Sequence, residues 1–582
     1  MVIVGGQYMK ITEEKVWLKY YDKEVIEKEL PKYTAYSYLK KVNKNHIDST
    51  ALNYYGKKIS FRELFAKIEE CANAFAAYNL KPGDIVSFVA VAVPECIIAI
   101  YALNKLGVAA NTIDPRLAKE DICRMVKESE SRLMLTLDIA FPKIKPIMEE
   151  INQERIIVLS PMDSLPPVKK MVMKMKTKTD VPYGQNVISW KQFIDEGKDT
   201  VAVEAPYDGD ATVAIAYTGG TTGFPKGVML TNDSMNAVAF NFLNDGLEFE
   251  AGQRFLGIIP VFSSYGMVCG LHMPLCMGCE LIPVPGFVPA TIGKLVKQYK
   301  PNHMISTPAF YEILMNSKEV KDLDLSFLIT MGSGGDSMNA GLEDKLNQFM
   351  KKHNIKYPLA QGYGMSELSA AATFCVNDRY KKGSVGIPSL TTTVGIFDPK
   401  TGEELGYNQK GEVCVSGPSV MKGYFKRPEE TANVMRVHDD GKVWIHSGDI
   451  GYMDEDGFVY IKGRVKRMIT RFDGHKVFPI NLESLVSEHE KVYTCAVVGV
   501  DDREHSQGQY PIVLVELLPG ADSKKVCKEI FDMCQENVEE RGKPVAVVAI
   551  DKIPLTGMGK SDYRALGKEY KFFDYLSWDP MA

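Results

Sequence analysis

The sequence predicts an α/β protein with a large N-terminal domain of packed α/β subdomains and a small α+β C-terminal domain. Apolar, strand-like runs alternate with helix-like segments as far as about Ile461, a pattern typical of parallel sheets covered by helices. The length of 582 residues suggests roughly three to four domain-sized units. The composition changes near Gly451, and shorter elements follow. We place the boundary at Gly463, which gives domains at residues 1–463 and 464–582.

The first strand and helices are predicted from apolar patterning and cap residues. Ser60 is placed to cap an amphipathic helix that reaches Tyr78. The nearly continuous apolar run Ile85–Leu103 resembles a membrane span in length, but Pro94 and Glu95 interrupt it. We therefore predict a buried strand, a turn at Pro94 and a core helix to about Leu106. The charged, aromatic segment before it, Trp17–Tyr38, is predicted to lie as an arm over the main body.

Composition excludes several classes of function. Apolar residues make up 45% and charged residues 25%, as in ordinary globular proteins. The formal net charge of -5 argues against a general nucleic-acid binder. Eleven scattered cysteines suggest reduced thiols, and the lone Cys276/Cys279 pair favours a structural role over a metal site. With no secretion signal evident in Met1–Lys10, we expect a cytoplasmic protein.

A basic, methionine-rich stretch follows a cluster of prolines. Residues 169–178 contain lysines interleaved with Met171, Met173 and Met175. Such a run is most often a solvated loop or helix face. Peripheral contact with an anionic membrane surface is the alternative.

The C-terminal part is predicted to be a hairpin followed by a compact α+β unit. Residues 452–461 alternate around Asp456-Gly457, a strong hairpin turn signal. The amphipathic pattern after Ser523 places apolar residues on one face of a helix. The expected elements are a helix over Ile480–His489, strands over Thr494–Val500 and Pro511–Leu518, a helix over Ser523–Glu540 and a strand over Val545–Ile550.

The loop between Tyr217 and Gly227 has the composition of a phosphate-binding loop. Glycines permit close backbone approach, and threonine hydroxyls with Lys226 offer donors to anionic oxygens. The loop does not match Gly-x-x-x-x-Gly-Lys-Ser/Thr. It follows a predicted strand over Ala211–Ala216 and precedes a helix that Thr231 or Asn232 could cap. A polar surface turn remains an alternative on composition alone.

Four further motifs combine glycines with polar or charged side chains. Gln361–Glu367 contains a tyrosine ring between two glycines and a carboxylate that follows a serine. The carboxylate of His446–Asp449 can accept two hydroxyl hydrogen bonds. Gly332–Asp336 is a glycine-rich turn, and Pro554–Lys560 places one lysine after two glycines. Each motif alone is also compatible with an ordinary turn or cap.

In their order, these stretches resemble the adenylate-forming superfamily of acyl-CoA synthetases, peptide-synthetase adenylation domains and luciferases. The resemblance covers nearly the whole chain and implies ATP, Mg²⁺ and CoA as reactants or cofactors, with Lys560, Glu367 and Thr218 catalytic and Glu367 also the Mg²⁺ ligand. It implies that Lys466 is the hinge about which a mobile C-terminal domain turns, and that Gly474 meets CoA. The ATP-binding residues that it implies are Thr218, Gly219, Gly220, Thr221, Thr222, Gly223, Lys226, Gly334, Gly335, Asp336, Gln361, Gly362, Tyr363, Gly364, Met365, Ser366, Asp449, Arg464 and Lys560.

By the same resemblance, the substrate is a carboxylic acid that is first adenylated and then transferred to the thiol of CoA. The segments implied to form its pocket are apolar, which favours a medium- or long-chain fatty acid. The alternatives are an aryl acid, transfer to a carrier protein, or a nucleotide-binding scaffold without turnover. The pocket residues implied are Phe262, Ser263, Tyr265, Gly266 and Pro308.

Three departures from the family pattern affect the pocket and the acceptor. Ser263 stands where many acyl-CoA and aryl-CoA synthetases have a histidine. The segments Thr470–Gly474 and Glu540–Pro544 also differ from the usual sequence, and both belong to the thioester-forming face. Gly411–Val413 and Met421–Tyr424 match the family as well, and we assign them structural roles.

Overall fold

The computed structural model describes most of the chain. It describes residues 3–4, 7–8, 10–176, 180–184, 186–218, 225–464, 467–505, 507–556 and 560–579, without the side chains of 3–4, 7–8 and 172–176.

Within these ranges, strands and helices alternate as the sequence predicts. The strands are β1 (Ile3–Val4), β2 (Gln7–Tyr8), β3 (Thr50–Tyr54), β4 (Lys57–Ser60), β5 (Ile85–Val89), β6 (Ala109–Ile113), β7 (Leu133–Leu137), β8 (Arg155–Leu159), β9 (Val187–Ser189), β10 (Thr212–Tyr217), β11 (Gly227–Thr231), β12 (Arg254–Gly257), β13 (Glu280–Pro283), β14 (His303–Ser306), β15 (Thr330–Ser333), β16 (Ala360–Tyr363), β17 (Thr373–Phe374), β18 (Ile387–Pro388), β19 (Thr393–Phe397), β20 (Gly411–Ser416), β21 (Met435–Val437), β22 (Val443–Met453), β23 (Val459–Arg464), β24 (Ile469–Thr470), β25 (Lys476–Val477), β26 (Val492–Asp501), β27 (Gln509–Leu517) and β28 (Ala546–Ala549). The helices are α1 (Ile11–Glu14), α2 (Lys23–Ile26), α3 (Ala35–Val42), α4 (Phe61–Ala76), α5 (Pro94–Lys105), α6 (Lys119–Ser129), α7 (Phe141–Ile144), α8 (Met148–Ile151), α9 (Pro167–Lys176), α10 (Trp190–Glu196), α11 (Asn232–Asn244), α12 (Met273–Cys276), α13 (Ile292–Tyr299), α14 (Pro308–Met315), α15 (Ala340–Lys352), α16 (Pro428–Val434), α17 (Pro479–Ser487), α18 (Ser523–Asn537) and α19 (Tyr563–Glu569).

Two largely parallel sheets form the body of the N-terminal domain. The described strands of the first sheet are ordered β11-β10-β6-β5-β7-β8-β9, and only the β10–β11 pair is antiparallel. The second has the order β18-β17-β16-β15-β14-β12-β13-β3-β4, parallel from β16 to β3. One large apolar core joins the two sheets, and a second core covers the other face of the second sheet. This is the predicted α/β architecture.

The second sheet positions a site at one of its edges. Strands β14, β15 and β16 run parallel and end at Ser306, Ser333 and Tyr363. Ligands of parallel α/β sheets bind beyond the carboxyl ends of the strands, where loops can present side chains and backbone N–H groups. The antiparallel sheet β19-β20-β22-β21, joined by β23, brings Asp449 and Arg464 opposite each other.

The small C-terminal domain is built on the sheet β26-β27-β28. Its two faces are buried in separate apolar clusters. Val526, Ile530 and Cys534 of α18 contribute to one cluster, as the amphipathic pattern predicts, and Leu566 of α19 contributes to the other. Two faces that must both be covered explain why this short segment needs helices on either side of the strands.

Several local predictions are confirmed. Ser60 caps α4 with a full capping box to Glu63, and Thr231 caps α11. The apolar run after Ile85 is β5 followed by α5, with Pro94 at the first helical turn. Strands β22 and β23 form the predicted hairpin. Nowhere in the described chain is there a helix with both the length and the hydropathy needed to span a bilayer.

Two segments differ in form from the prediction. The residues after the glycine-rich loop form β11, which pairs antiparallel with β10, before α11 begins. Trp17 is fully buried and packs at the β22–β23 turn, where a Cβ on Gly457 would lie 2.9 Å from the Cβ of Trp17. The N-terminal arm is therefore anchored in the core through this contact. The methionine-rich stretch begins as helix α9, in which Val168 and Met171 are exposed.

Candidate active site

A cavity of about 540 Å³ opens at the carboxyl ends of β14–β16 and extends along the sheet face. Its wall includes residues from both domains: Thr218, Lys226, Tyr265, Tyr363, Glu367, Arg464 and Lys560 all line it. Most of these are polar groups suited to an anionic ligand, whereas Phe242, Phe249, Phe255, Phe262 and Phe374 line the remainder. One part of the cavity thus suits phosphates and the other suits an apolar group.

Gly334 and Gly335 bring backbone close to one wall of the cavity. The backbone of Gly335 has a φ of +84°, a conformation that would be strained in a residue with a side chain. A Cβ on Gly334 would lie 3.4 Å from the Tyr265 hydroxyl oxygen, and one on Gly335 would lie 3.6 Å from the Tyr265 ring. Both glycines therefore lie within van der Waals range of Tyr265, a residue that we expected in the acid pocket and that lies at the glycine turn.

Asp449 is held between two residues of the cavity wall. Its carboxylate accepts a hydrogen bond of 2.7 Å from the Tyr363 hydroxyl and one of 2.8 Å from Arg464 Nε. Asp449 is only 3% exposed, whereas Arg464 is about half exposed. The carboxylate raises the pKa of Arg464 further above its usual range by attraction to the guanidinium. This arrangement fixes the tyrosine ring and directs Arg464 towards the cavity.

Glu367 lies at the cavity wall beside the start and end of the glycine-rich loop. Its carboxylate accepts a hydrogen bond from Tyr424, whose ring lies 3.9 Å below Lys226 Nζ. Thr218 N donates to the Lys226 carbonyl at 2.9 Å, which closes the base of the loop. The ammonium, the phenol and the carboxylate are thus stacked at one end of the cavity.

Lys560 reaches the cavity from the C-terminal domain. The next residue, Ser561, donates its backbone N–H to Asp336 Oδ2 at 3.1 Å, and this bond docks the lysine-bearing loop on the N-terminal domain. The Lys560 side chain faces the cavity and is therefore accessible to solvent. Protein atoms nevertheless surround its ammonium closely, and this partial loss of hydration lowers the pKa of Lys560. The carboxylates of Asp336, Glu367 and Asp449 oppose the shift. An ammonium so placed is suited to charge neutralisation.

Alternate residues along β14, β15 and β16 line the apolar part of the cavity. Ile305 and Gly332 are neighbours across β14 and β15, and Gly332 pairs with Ala360 of β16. All three line the cavity, as do their small or apolar neighbours on the same face. Phe262 lies at the opposite side with Arg116 packed on its ring at 5.2 Å. The hydroxyl of Ser263 donates to the Pro260 carbonyl at 2.8 Å, so this residue closes its own turn.

The structure does not bring every expected residue to the cavity surface. Gly266 packs on the Pro260 carbonyl, where a Cβ would approach to 2.0 Å, and Pro308 begins α14 in the core. Neither lines the cavity, so their expected pocket role is indirect. Asp336 contacts Ser561 beside Lys560, and Asp449 contacts Arg464, but neither lines the cavity. Gln361 is a buried residue of β16 and does not line it either. Gly362, Gly364, Met365 and Ser366 do line it. Gly219, Gly220, Thr221, Thr222, Gly223 and Lys466 lie outside the described residues.

Tyr424 and His303 are among the cavity residues that were not predicted as site residues. Tyr424 was assigned a structural role, and its contact with Glu367 depends on the packing of two distant segments. His303 is a strand residue in an apolar run and carries no motif. A polar residue in an otherwise buried strand is the only sequence signal that could have indicated it.

A small cluster of potential metal ligands lies beside the cavity. Within the described residues, Glu412, Cys414 and His446 place ligand atoms within 4.8 Å of one another. His446 Nδ1 is 2.9 Å from Glu412 Oε2, and Gly448 N–H donates to Glu412 Oε1 at 3.0 Å. Burial holds the pKa of Cys414 well above its usual range, which disfavours a thiolate ligand. These bonds fit the structural role that we assign to Glu412.

The two unusual segments of the C-terminal domain meet in space. Arg471 Nη1 donates to the Arg541 carbonyl at 3.1 Å, and Arg541 Nε lies 3.5 Å from Asp473 Oδ2. Gly474 closes the same turn with φ of +80° and does not line the cavity. These two departures from the family pattern therefore lie on one continuous surface of the C-terminal domain.

Comparisons with known proteins agree with this geometry. Residues 39–425 match the family described as AMP-binding enzyme, and residues 481–560 match the AMP-binding enzyme C-terminal domain. A long-chain-fatty-acid–CoA ligase of Bacillus subtilis (strain 168) is 30% identical over 570 residues, 96% of this chain and 98% of that one. The 4-coumarate–CoA ligase-like 8 of Arabidopsis thaliana is 29% identical over 511 residues, 87% and 86% of the two chains.

Solved structures share the fold at lower identity. ATP-bound MatB from Rhodopseudomonas palustris has a TM-score of 0.78 at 23% identity, covering 93% of this chain and 99% of its own. The anthranilate CoA ligase AuaEII in complex with anthranoyl-AMP has a TM-score of 0.81 at 20% identity, covering 94% and 99%. From the family match over most of its length, this chain belongs to the AMP-binding enzyme family of adenylate-forming ligases.

Proposed function

We propose that this protein is an ATP-dependent, AMP-forming ligase that converts a medium- or long-chain fatty acid to its acyl-CoA. The observation that carries the proposal is the position of Lys560, which enters from the C-terminal domain a cavity that Glu367, Tyr363 and Arg464 also line. The relative named a long-chain-fatty-acid–CoA ligase and the phenylalanine-rich part of the cavity support an alkyl acid.

In the first half-reaction, a carboxylate oxygen of the acid attacks the α-phosphorus of ATP, and the bond to pyrophosphate breaks. Both reactants are anionic, so the residues must mainly align them and neutralise charge. Lys560 places an ammonium at the reacting groups, and Lys226 lies at the base of the loop expected to hold the β- and γ-phosphates. We expect Tyr363 to pack on adenine and Asp449, whose carboxylate contacts Tyr363 and Arg464, to accept hydrogen bonds from the ribose hydroxyls.

Glu367 fits the expected Mg²⁺ site. It is a carboxylate at the cavity wall, oriented by the hydroxyl of Tyr424, and Mg²⁺ prefers such hard oxygen ligands. When bound with ATP, Mg²⁺ supplies charge neutralisation on the phosphate oxygens.

In the second half-reaction, the thiol of CoA attacks the acyl carbonyl and AMP leaves. The C-terminal domain turns about Lys466, which withdraws Lys560 and presents the surface around Gly474 to the pantetheine. That the eleven cysteines are free and buried supports a cytoplasmic location within this proposal.

An aryl acid is the second candidate, because several relatives are named 4-coumarate–CoA ligases. The test is pyrophosphate–ATP exchange that depends on added acid, followed by consumption of CoA thiol across C2 to C18 and aryl acids. Acid-dependent exchange with thiol loss is the expected result. Exchange without thiol loss for any acid would instead support transfer to a carrier protein, and no exchange would support a nucleotide-binding scaffold.

A further inference from the structure

A stacked pair of side chains lies at the base of the loop that carries Lys560. The guanidinium carbon of Arg467 is 3.4 Å from the centroid of the Tyr563 ring, so the two groups are in van der Waals contact. Tyr563 is the first residue of α19 and follows Lys560 by three positions. Arg467 directly follows Lys466, the residue implied as the hinge. The stack therefore connects the hinge region with the loop that carries the lysine.

A short stem joins this loop to Tyr563. The backbone N–H of Thr556 donates to the Lys560 carbonyl at 2.7 Å, and the N–H of Asp562 donates to the Pro554 carbonyl at 2.7 Å. The side chain of Asp562 also caps α19, which begins with Tyr563. Because the stem and the helix follow each other without a linker, a shift of the Tyr563 ring would be transmitted to Lys560.

Arg467 is itself fixed by a buried carboxylate. Its Nη2 donates to Glu483 Oε1 at 2.6 Å, and the same oxygen accepts the Val497 N–H at 3.0 Å. Glu483 is only 3% exposed. A charge-assisted hydrogen bond to such a carboxylate holds the planar guanidinium in one orientation. Since Glu483 belongs to α17 and Val497 to β26, the stack is supported by the sheet of the C-terminal domain.

Asp336 of the N-terminal domain faces this group of side chains. Its Oδ2 accepts the Ser561 N–H at 3.1 Å. Burial raises the pKa of Asp336, and the cations Lys560 and Arg467 oppose this rise. One carboxylate of the N-terminal domain thus interacts with two cations of the C-terminal domain. Lys560 reaches the cavity, whereas Arg467 does not line it.

We propose that Arg467 is a positioning residue for adenylate formation, and that by stacking on Tyr563 it fixes the loop that delivers Lys560 to the cavity. This inference rests on the proposed function and adds a residue to its first half-reaction. Because Arg467 does not line the cavity, it acts through Lys560 and not on the substrates. A planar guanidinium suits this role, since it packs flat on an aromatic ring while its fork binds a carboxylate.

The decisive test combines Arg467→Gln with Lys560→Ala. Arg467→Gln removes the cation but keeps a side chain that can donate a hydrogen bond. The readout is the single-turnover rate of adenylate formation at saturating acid and ATP. We expect R467Q to lower this rate about tenfold when Lys560 is present, because the ammonium is then less precisely placed. In K560A, we expect R467Q to cause less than about a twofold further loss, because no ammonium is left to position.

Two substitutions of Tyr563 test the other member of the stack. Tyr563→Phe keeps the ring and is the matched control, with an expected rate within about twofold of the wild type. Tyr563→Leu removes the ring, and we expect about a tenfold loss that again requires Lys560. Because Y563L leaves the Arg467–Glu483 pair intact, it decides the outcome if thermal unfolding shows that R467Q is not folded.

Thioester formation from preformed acyl-adenylate separates positioning from a general effect on the fold. Because this half-reaction does not use Lys560 in the proposed mechanism, it should stay within about twofold of the wild type in both R467Q and Y563L. An equal loss in both half-reactions would mean that the stack only stabilises the C-terminal domain, and would overturn the inference.

Two other results would also overturn it. One is a loss of adenylation of the same size with and without Lys560, which would mean that the stack acts independently of the lysine. The other is an unchanged rate in folded R467Q and Y563L. Both results leave the proposed function intact. Absence of acid-dependent pyrophosphate–ATP exchange in the wild type would instead overturn the proposed function and this inference with it.

Discussion

Lys560 joins the two domains at the reacting groups. Its backbone is docked through Ser561 on Asp336, and its ammonium shares the cavity with Glu367 and Arg464. Because the proposed rotation of the C-terminal domain would withdraw Lys560 from the cavity, we expect its charge to matter in one half-reaction only. The two half-reactions can be measured separately, which makes this residue the most direct test of the proposed mechanism.

For Lys560→Ala we expect adenylate formation to fall roughly 10²- to 10³-fold, by analogy with loss of one electrostatic donor. Thioester formation from preformed acyl-adenylate should be nearly unchanged. Single-turnover assays of each half-reaction provide the measurement. Lys552→Ala, which removes an exposed lysine of the same segment, is the matched control. Equal loss in both half-reactions would refute the division of labour.

Tyr424 positions Glu367 and supports Lys226, so we predict an effect on Mg²⁺ use. Tyr424→Phe keeps the ring below Lys226 but removes the hydrogen bond to Glu367. We expect about a tenfold loss of kcat/KM and a higher Mg²⁺ concentration for half-maximal rate, because an unanchored carboxylate is less well placed. Tyr407→Phe removes a comparable tyrosine–carboxylate bond at the surface and is the control. An unchanged Mg²⁺ requirement would contradict the positioning role.

At the scale of elements, the start of α4 can be tested through its capping box. Ser60 Oγ accepts the Glu63 N–H at 3.2 Å, and Glu63 accepts the Ser60 N–H at 2.8 Å. Ser60→Ala leaves a helical donor without its partner and is expected to cost about 1 kcal/mol of stability. A lower thermal unfolding temperature of the N-terminal domain is the readout. Ser60→Asp, which restores an acceptor, should recover it, and an equal loss in both variants would argue against the cap.

Elements with strong local signals could be predicted from the sequence, and those set by distant pairing could not. The cap at Ser60, the β22–β23 hairpin and α18 each carry their signal within a few residues. In contrast, no strand was predicted over Val228–Leu230, between the loop and the helix. They form a strand because the edge of β10 offers them hydrogen bonds, and this edge is not visible in the local sequence.

At the scale of the molecule, the site is gathered by topology. Thr218, Glu367, Asp449 and Lys560 are hundreds of residues apart in sequence and meet because parallel strands end at one edge and the C-terminal domain covers that edge. Their type and order allowed the resemblance to indicate them. Tyr424 escaped prediction because its contact with Glu367 arises only from the packing of distant segments.

We predict that a buried acid at the surface between the domains links their arrangement to pH. Glu312 of α14 is 8% exposed, and its pKa is raised to about 8 by burial, with Glu516 of the C-terminal domain adding to the shift and Lys345 opposing it. Tyr493 of β26 also faces it. If the C-terminal domain turns away, Glu312 regains water and its usual pKa near 4.5. The present arrangement, with Lys560 in the cavity, is therefore favoured when Glu312 is protonated.

The sign of the resulting pH dependence follows from this raised pKa. Protonated Glu312 stabilises the arrangement that has Lys560 in the cavity. This stabilisation is complete below about pH 4.5, declines as the pH rises and is lost above about pH 8. Glu312→Gln stays neutral at every pH. The quantity to compare is the rate of adenylation divided by the rate of thioester formation. We expect this ratio to be higher in E312Q than in the wild type, and the difference to grow from pH 5 to pH 8, reaching on the order of tenfold.

Single-turnover measurements of both half-reactions across this pH range test the prediction. Glu319→Gln, which changes an exposed residue of the same domain, is the control. Parallel pH profiles of the wild type and E312Q would show that Glu312 does not sense the position of the C-terminal domain. A growing gap would identify this interface as the place where domain rotation and proton binding are coupled.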